Sequence, residues 1–230
     1  MLVVVVAAGC GGSDGSSFPQ GSEAVELDPA DFTSEIDNPW LPLRTGSRWV
    51  YRETDQEGGD QRVVVTVLDE TRTVLGIETR VVHDVVTEDG ELVEDTYDWY
   101  AQDSDGNVWY LGEDTTEFED GEPSSTAGSW EAGVDGALPG ILVPAEPEVG
   151  MTYRQEYYEG EAEDAAEVLS LAEKVEAPFG QYDGVLMTKD YMPLEPDILE
   201  HKFYARDVGT VLALTISGGS DREELVAYTP

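Results

Sequence analysis

The stretch Tyr97-Asp-Trp-Tyr-Ala-Gln-Asp-Ser-Asp-Gly-Asn-Val-Trp-Tyr-Leu-Gly112 constrains this chain more than any other. Two aromatic-rich arms flank the polar centre Asp103-Ser-Asp-Gly-Asn107. Asp-Gly supplies the positive φ that a tight turn needs, and Trp, Tyr and Val suit a pleated arm, so the stretch predicts a β-hairpin. The chain around it repeats the theme. Residues 46–52, 62–68, 74–86, 92–102 and 107–112 read as five successive strands, with turns at Gly58-Gly59 and Glu88-Asp-Gly-Glu91. Strands joined by short turns make an antiparallel meander.

Residues 114–149 break the rhythm with Glu122-Pro-Ser-Ser125, Gly128-Ser-Trp-Glu-Ala-Gly133 and Asp135-Gly-Ala-Leu-Pro-Gly140. A connection of that length reads as a cover or binding loop, or as a structural crossover. Trp130 and Ile141-Leu-Val143 are the residues able to tuck it onto a sheet. After Gly150 the pattern restarts. Gly46 aligns with Gly150, Gly76 with Gly180, Val81 with Val185, and Trp99-Tyr-Ala-Gln-Asp103 with Phe203-Tyr-Ala-Arg-Asp207. The identities fall at strand starts, at the Gly before a strand and at the closing hairpin, which points to an internal duplication. Second-half strands are expected near 151–158, 166–172, 182–191, 199–206, 210–217 and 224–229. Residues 161–174 are ambiguous. Ala162, Ala165, Ala166, Leu169 and Ala172 have helical spacing, whereas the repeat argues for strand.

The expected fold is therefore mainly β: about ten to eleven antiparallel strands from two meander repeats, curling into a half-barrel or calycin-like cup. The first repeat spans 39–113, the connecting cover 114–149 and the second repeat 150–230, with 39–230 forming one folded domain.

The N-terminal residues set the compartment. Leu2 to Ala8 is a short apolar run that ends at Ala7-Ala-Gly-Cys10, followed by Gly11-Gly-Ser-Asp-Gly-Ser-Ser17. The run is far too short to span a bilayer. It resembles the end of a bacterial or archaeal lipoprotein signal peptide, in which the Cys is acylated and becomes the mature N-terminus. That resemblance implies a signal peptide over 1–9, lipidation of Cys10, a flexible tether over 10–38 and an exported protein attached to the outer face of the membrane. Cys10 is the single cysteine, so no intramolecular disulfide forms.

Fifty acids face twelve bases, for a net charge of -38. Such a surface repels nucleic acid and anionic headgroups. It gives solubility, including in a salty habitat where cations screen it, or it serves as a cation-binding surface.

Pro39-Trp-Leu-Pro-Leu-Arg-Thr-Gly-Ser-Arg-Trp-Val-Tyr51, Gly180-Gln-Tyr-Asp-Gly-Val-Leu186 and Tyr204-Ala-Arg-Asp-Val-Gly-Thr-Val211 carry a second resemblance. Together they resemble a broad class of uncharacterised exported bacterial proteins with an early Gly-x-x-Trp-x-Tyr and a late Tyr-Ala-x-x-Val-Gly-x-Val. Arg206-Asp207 departs from the Pro-Gly often seen in that class. The class implies an envelope-attached β-domain and brings no catalytic residues with it. The cup is also similar, at the level of fold alone, to lipoprotein carriers of the LolA type.

Candidate chemistry is sparse. Asp103, Asp105 and Asn107 place oxygens at alternate positions as a calcium loop does, but Val108 and Asp114 stand where that loop wants Gly and Glu, and a hairpin turn accounts for them. His83 and Asp84 are strand neighbours that point to opposite faces, so they form no dyad. His201 lies between Glu200 and Lys202, which share a face and are expected to pair. Two His cannot furnish a zinc site without carboxylates. Gly-x-Ser-x-Gly occurs as Gly11-Gly-Ser-Asp-Gly15, inside the Gly/Ser tether and away from any strand that would make a nucleophile elbow, and no His-Glu-x-x-His or phosphate loop is present. Trp99, Trp109, Tyr110 and Trp130 are the ligand-binding candidates, either as core packing or as the aromatic lining of a cup. Tyr97 and Trp99 share one face of their strand, and Asp98 and Tyr100 share the other.

The function expected is a membrane-anchored extracytoplasmic lipoprotein that is not an enzyme, uses no cofactor and binds a hydrophobic small molecule or an envelope component. The alternatives are a structural or protein-interaction module at the cell surface and, with least support, a hydrolase using acidic residues.

Overall fold

The computed structural model describes residues 18–230. The signal-peptide segment, Cys10 and the first part of the tether lie outside the described residues.

The fold is a curved antiparallel sheet that curls into a nearly closed barrel. In chain order the strands are β1 (Phe32–Thr33), β2 (Arg48–Thr54), β3 (Asp60–Val74), β4 (Ile77–Glu88), β5 (Glu91–Asp103), β6 (Val108–Glu119), β7 (Glu122–Ser125), β8 (Trp130–Glu131), β9 (Leu138–Val143), β10 (Thr152–Arg154), β11 (Glu156–Tyr157), β12 (Ala165–Ala177), β13 (Gly180–Tyr191), β14 (Leu199–Ala205), β15 (Gly209–Ser217) and β16 (Arg222–Thr229). A 3-10 turn, Pro29–Asp31, precedes β1. The mainly β, curved, cup-like fold expected from the sequence is what the chain adopts, but with sixteen strands rather than ten to eleven. The extra strands are short. β1, β7, β8 and β9 lie in Pro-rich or polar segments whose composition hides pairing. One expected strand near 151–158 is split into β10 and β11 at Gln155. Residues 165–177 are strand, since pairing with β13 overrides the helical spacing of the alanines.

The sheet runs β10-β12-β13-β14-β15-β16-β2-β3-β4-β5-β6-β9-β11. Its two ends, β10 and β11, are consecutive in the chain, and that is how it closes. Thr152–Arg154 pair with β12 on one side, and Glu156–Tyr157 pair with β9 on the other. Opposite this seam the C-terminal β16 pairs with β2, from Thr229↔Arg48 to Arg222↔Thr54. β2 to β6 occupy one side of the wall and β12 to β16 the other, in the same running order. The β3–β4 and β12–β13 hairpins both carry bulges before their tight turns. Leu75 (φ 51) and Gly76 (φ 82) make the first of those turns in the left-handed region, where a glycine is the inexpensive residue.

Residues 18–43 are part of the folded body, although the tether was read as reaching residue 38. Phe18 packs edge-on against Tyr153, and the Arg154 amide donates to Pro19 O at 2.8 Å. Further on, Asn38 is buried and bonded on all sides. Its amide N–H donates to the Gln102 side chain, its Nδ2 to Gly106 O, and its Oδ1 accepts from the Trp40 amide. This fixes Ile36, Leu41 and Leu43 across one end of the barrel, where they join the core formed by Trp49, Tyr51, Val67 and Val82. The segment 114–149 holds the end of β6 and all of β7, β8 and β9. Its Trp130, Ile141 and Val143 are buried, and β9 is hydrogen-bonded to β6.

Candidate functional site

With one end sealed, the barrel interior keeps a cavity of about 250 Å³. Alternate residues of each strand face it, as the period of two requires. Trp49 and Tyr51 reach it from β2, Val82 and Asp84 from β4, Asp98 and Tyr100 from β5, and Lys202 and Tyr204 from β14. Glu223 of β16 and the floor residues Leu41 and Leu43 complete it. The wall is thus aromatic and aliphatic with three acidic side chains and one basic one set into it.

The only cation among those four is already engaged. Lys202 Nζ lies 3.4 Å from Asp190 Oδ2 and 3.7 Å from Glu200 Oε2. Burial acts to lower its pKa, but the two carboxylates outweigh that and raise it well above the ordinary value, so it stays charged. The expected Glu200–Lys202 pair is present, with Asp190 as an additional partner.

The three cavity carboxylates have no cation. Neither Asp84, Asp98 nor Glu223 takes part in an ion pair among the described residues. Asp98 accepts the Tyr110 hydroxyl at 2.6 Å, and burial pushes its pKa up to about 6. Glu223 is pushed up to about 7, mainly by burial and then by Glu53. Burial raises Asp84 well above the ordinary carboxylate range, with Asp98 and Glu223 adding repulsion. Asp84 Oδ1 is enclosed and has no hydrogen-bond partner. An enclosed polar atom left without a partner costs free energy, so it marks a place where something is missing or tolerated.

A path leads outward from the cavity. Lys202, Ala213 and Glu223 also line an adjoining space of about 220 Å³ with Glu53, Glu200 and Asp221. Glu53 and Asp221 in turn line the rim beside Asp55 and Glu88. The open end, opposite the Leu41–Leu43 floor, is therefore ringed with acids. Stacked carboxylates with low-dielectric walls focus a negative potential along such a path.

A second group of buried acids sits near the seam. Trp130 Nε1 donates to Glu156 Oε2 at 2.7 Å, and Glu156 and Asp164 are both raised by burial, Glu156 further by the charge of Asp164. Glu113, directly across from Asp98, is pushed up to about 8 by burial and by that neighbour.

The residues singled out from the sequence are placed as follows. Trp99, Trp109, Tyr110 and Trp130 are all buried in one core cluster with Val81, Leu111 and Ile141, and none lines the cavity. Trp99 stacks under the Arg72 guanidinium at 3.8 Å, and Tyr110 packs edge-on against Trp130. Tyr100, next to Trp99 on β5, reaches the cavity instead, together with Trp49, Tyr51 and Tyr204. Asp103 uses both its oxygens inside its own turn. Oδ1 accepts from the Asp105 and Asn107 amides, and Oδ2 from Asn107 Nδ2 and Trp109 Nε1. Asn107 Oδ1 accepts from the Ala145 amide. Those oxygens are spent on holding the hairpin. No cluster of metal-ligating side chains is present among the described residues. His83 stacks on Tyr97 and meets Asp95 at 2.7 Å on the outer face, whereas Asp84 faces inward.

The cavity acids were missed because acids in strands of so acidic a chain read as solvent-facing. A signal existed: Tyr51 and Glu53, Asp98 and Tyr100, and Lys202 and Tyr204 are pairs two apart, each setting a charge on the same face as an aromatic.

No family model matches the chain, and no curated protein matches it. Solved structures do. A protein from Bacteroides fragilis NCTC 9343, described as exported and of YmcC-like fold, is 14% identical with a TM-score of 0.50, covering 83% of this chain and 99% of that one. A protein from Parabacteroides distasonis ATCC 8503, described as a lipoprotein, is 13% identical with a TM-score of 0.47, covering 84% of this chain and 99% of that one. At such identity the first likeness shows a shared fold and nothing about activity.

Proposed function

We propose that the protein is an exported, lipid-anchored binding protein without enzymatic activity, holding a small and largely apolar ligand inside its barrel. The observation that carries this is the cavity of about 250 Å³ between the Leu41–Leu43 floor and the acidic mouth. An interior that can pack to crystal density and does not, with a path to the outside, is the ordinary form of a ligand site. Anchoring rests on the Ala7-Ala-Gly-Cys10 pattern and its Gly/Ser tether. Membership of the uncharacterised exported class with Gly-x-x-Trp-x-Tyr and Tyr-Ala-x-x-Val-Gly-x-Val motifs is part of the same reading, and a LolA-like carrier role is an analogy of shape.

Two experiments test it. Cells fed an alkyne fatty acid should label the wild-type chain but not a Cys10→Ala variant; label on the variant removes the anchor from the account. Native mass spectrometry of the protein released from membranes should show a small molecule of constant mass that is lost on denaturation. A stable complex with another envelope protein and no small molecule would favour an interaction module instead.

A further inference from the structure

Accepting the cavity as a ligand site, we infer that its ligand is a small organic cation, an ammonium group carried on an apolar body. Three observations converge. The cavity wall holds three carboxyls, Asp84, Asp98 and Glu223, against one cation, Lys202, which is paired with Asp190 and Glu200 and only partly offsets the shift of Glu223. One of these, Asp84, has an enclosed oxygen with no hydrogen-bond partner. The rest of the wall is π-surface and alkyl, with Tyr51, Tyr100 and Tyr204 close to the acids.

Each observation excludes other ligand classes. An anion would meet three carboxylates in a low-dielectric space. A neutral apolar ligand would leave the buried carboxylates with no compensating charge. A hard metal ion wants six to eight converging oxygens, and the described residues contain no such cluster. An ammonium with an apolar body satisfies all parts of the wall. Its charge answers the carboxylates, its methyl or methylene groups lie on the aromatic faces, and cation–π attraction strengthens where water is excluded. The entrance agrees: Glu53, Glu200 and Asp221 line the way in and attract cations.

The test compares two molecules of the same shape that differ in charge, phenyltrimethylammonium and tert-butylbenzene, titrated into the full-length wild-type protein by calorimetry or ligand-observed NMR at pH 8 and low salt. The inference expects the cation to bind at least about tenfold more tightly. It also expects the near-isosteric Asp84→Asn to remove most of that preference while tert-butylbenzene binding persists. Equal or tighter binding of tert-butylbenzene to the wild type would overturn the inference and leave the cavity reading intact. Failure of both molecules to bind would overturn both. Displacement of bound phenyltrimethylammonium by micromolar Ca²⁺ would overturn the organic-cation assignment. The wild-type comparison decides the matter even where Asp84→Asn does not fold, and Glu223→Gln serves as the second variant, expected to weaken the cation and spare the neutral probe.

Discussion

Glu223 stands directly across from Glu53 in the β16–β2 register, and both carboxylates point into the mouth of the barrel. Like charges opposite one another in a sheet repel, and here burial adds to the cost, so Glu223 holds its proton up to about pH 7. Asp98 and Glu113 form a second such cross-strand pair, with pKa values of about 6 and about 8.

These raised carboxyls make stability fall with rising pH. The folded state binds their protons more tightly than the unfolded state does. Their contribution is fully present below the unfolded carboxylate range near pH 4 and is lost as the pH climbs through about 6 to about 8. The loss should be of the order of several kcal/mol between pH 5 and pH 9. Melting followed by circular dichroism checks this. Repeating the series in molar salt separates the interior groups from the exposed acids that make up most of the net charge of -38, which salt screens. A midpoint that stays flat or rises with pH in high salt would contradict the assignment of these acids to the interior.

Cation affinity should run the other way. The ionisable groups facing the cavity are Tyr51 from β2, Asp84 from β4, Asp98 and Tyr100 from β5, Lys202 and Tyr204 from β14, and Glu223 from β16. Burial holds the tyrosines protonated through this range, and Lys202 stays charged, so the groups that lose protons as the pH rises are the raised carboxyls: Asp98 at about 6, Glu223 at about 7, Asp84, which burial also raises, and Glu113 across from Asp98 at about 8. Phenyltrimethylammonium should bind about tenfold more tightly at the upper end, while tert-butylbenzene binding stays level. Parallel titrations of the two probes against pH make the comparison.

The seam gives a sharper structural test. A Cβ on Gly140 would lie 2.3 Å from Gln155 O and 2.5 Å from Arg154 O, so β9 approaches the β10–β11 junction too closely for any side chain. Arg154, fully buried, donates to Gly21 O and Glu23 O through Nη1 and to Pro139 O through Nη2, tying residues 18–25 to that junction. Gly140→Ala should cost about 3 kcal/mol or more through backbone displacement. Arg154→Met should cost about 2–4 kcal/mol through lost charge-assisted bonds and release the N-terminal segment. Hydrogen exchange should then show loss of protection confined to residues 18–25 and 138–157 at first. Uniform loss of protection would mean that the seam is not a separate unit.

Trp130 separates packing from binding. Trp130→Phe removes the Nε1 donor from Glu156 and should destabilise the fold by about 1–3 kcal/mol. Because Trp130 does not line the cavity, probe affinity should change less than about twofold. A large loss of affinity at unchanged folding would return the ligand site to the aromatic cluster.

Much of the fold was legible because strands announce themselves by alternation and by turn residues. The hairpin at 97–112 and the pairing of Glu200 with Lys202 follow from a period of two, whereas the tight turn at Leu75-Gly76 lies inside what reads as one strand over 74–86. Closure was not legible. It depends on one three-residue and one two-residue strand split at Gln155, and on Pro139-Gly140 pairing where composition argues for loop. The cavity was half-legible. The sequence reading placed Asp98 with Tyr100 on one strand face but directed attention to Trp99 and Trp109, which the long-range packing of Arg72, Leu111 and Trp130 turns into core. Asp84 carried no local signal, since Val81-Val-His-Asp-Val-Val86 is apolar on both faces.

The most direct measurement is an experimental structure of the protein purified from its own envelope without added ligand, examined for density between Asp84, Tyr51 and Tyr204. The account predicts continuous non-protein density in that space, in contact with an Asp84 carboxylate oxygen. A cavity holding only ordered water, or closed by inward rotation of Trp49 and Tyr100, would contradict it.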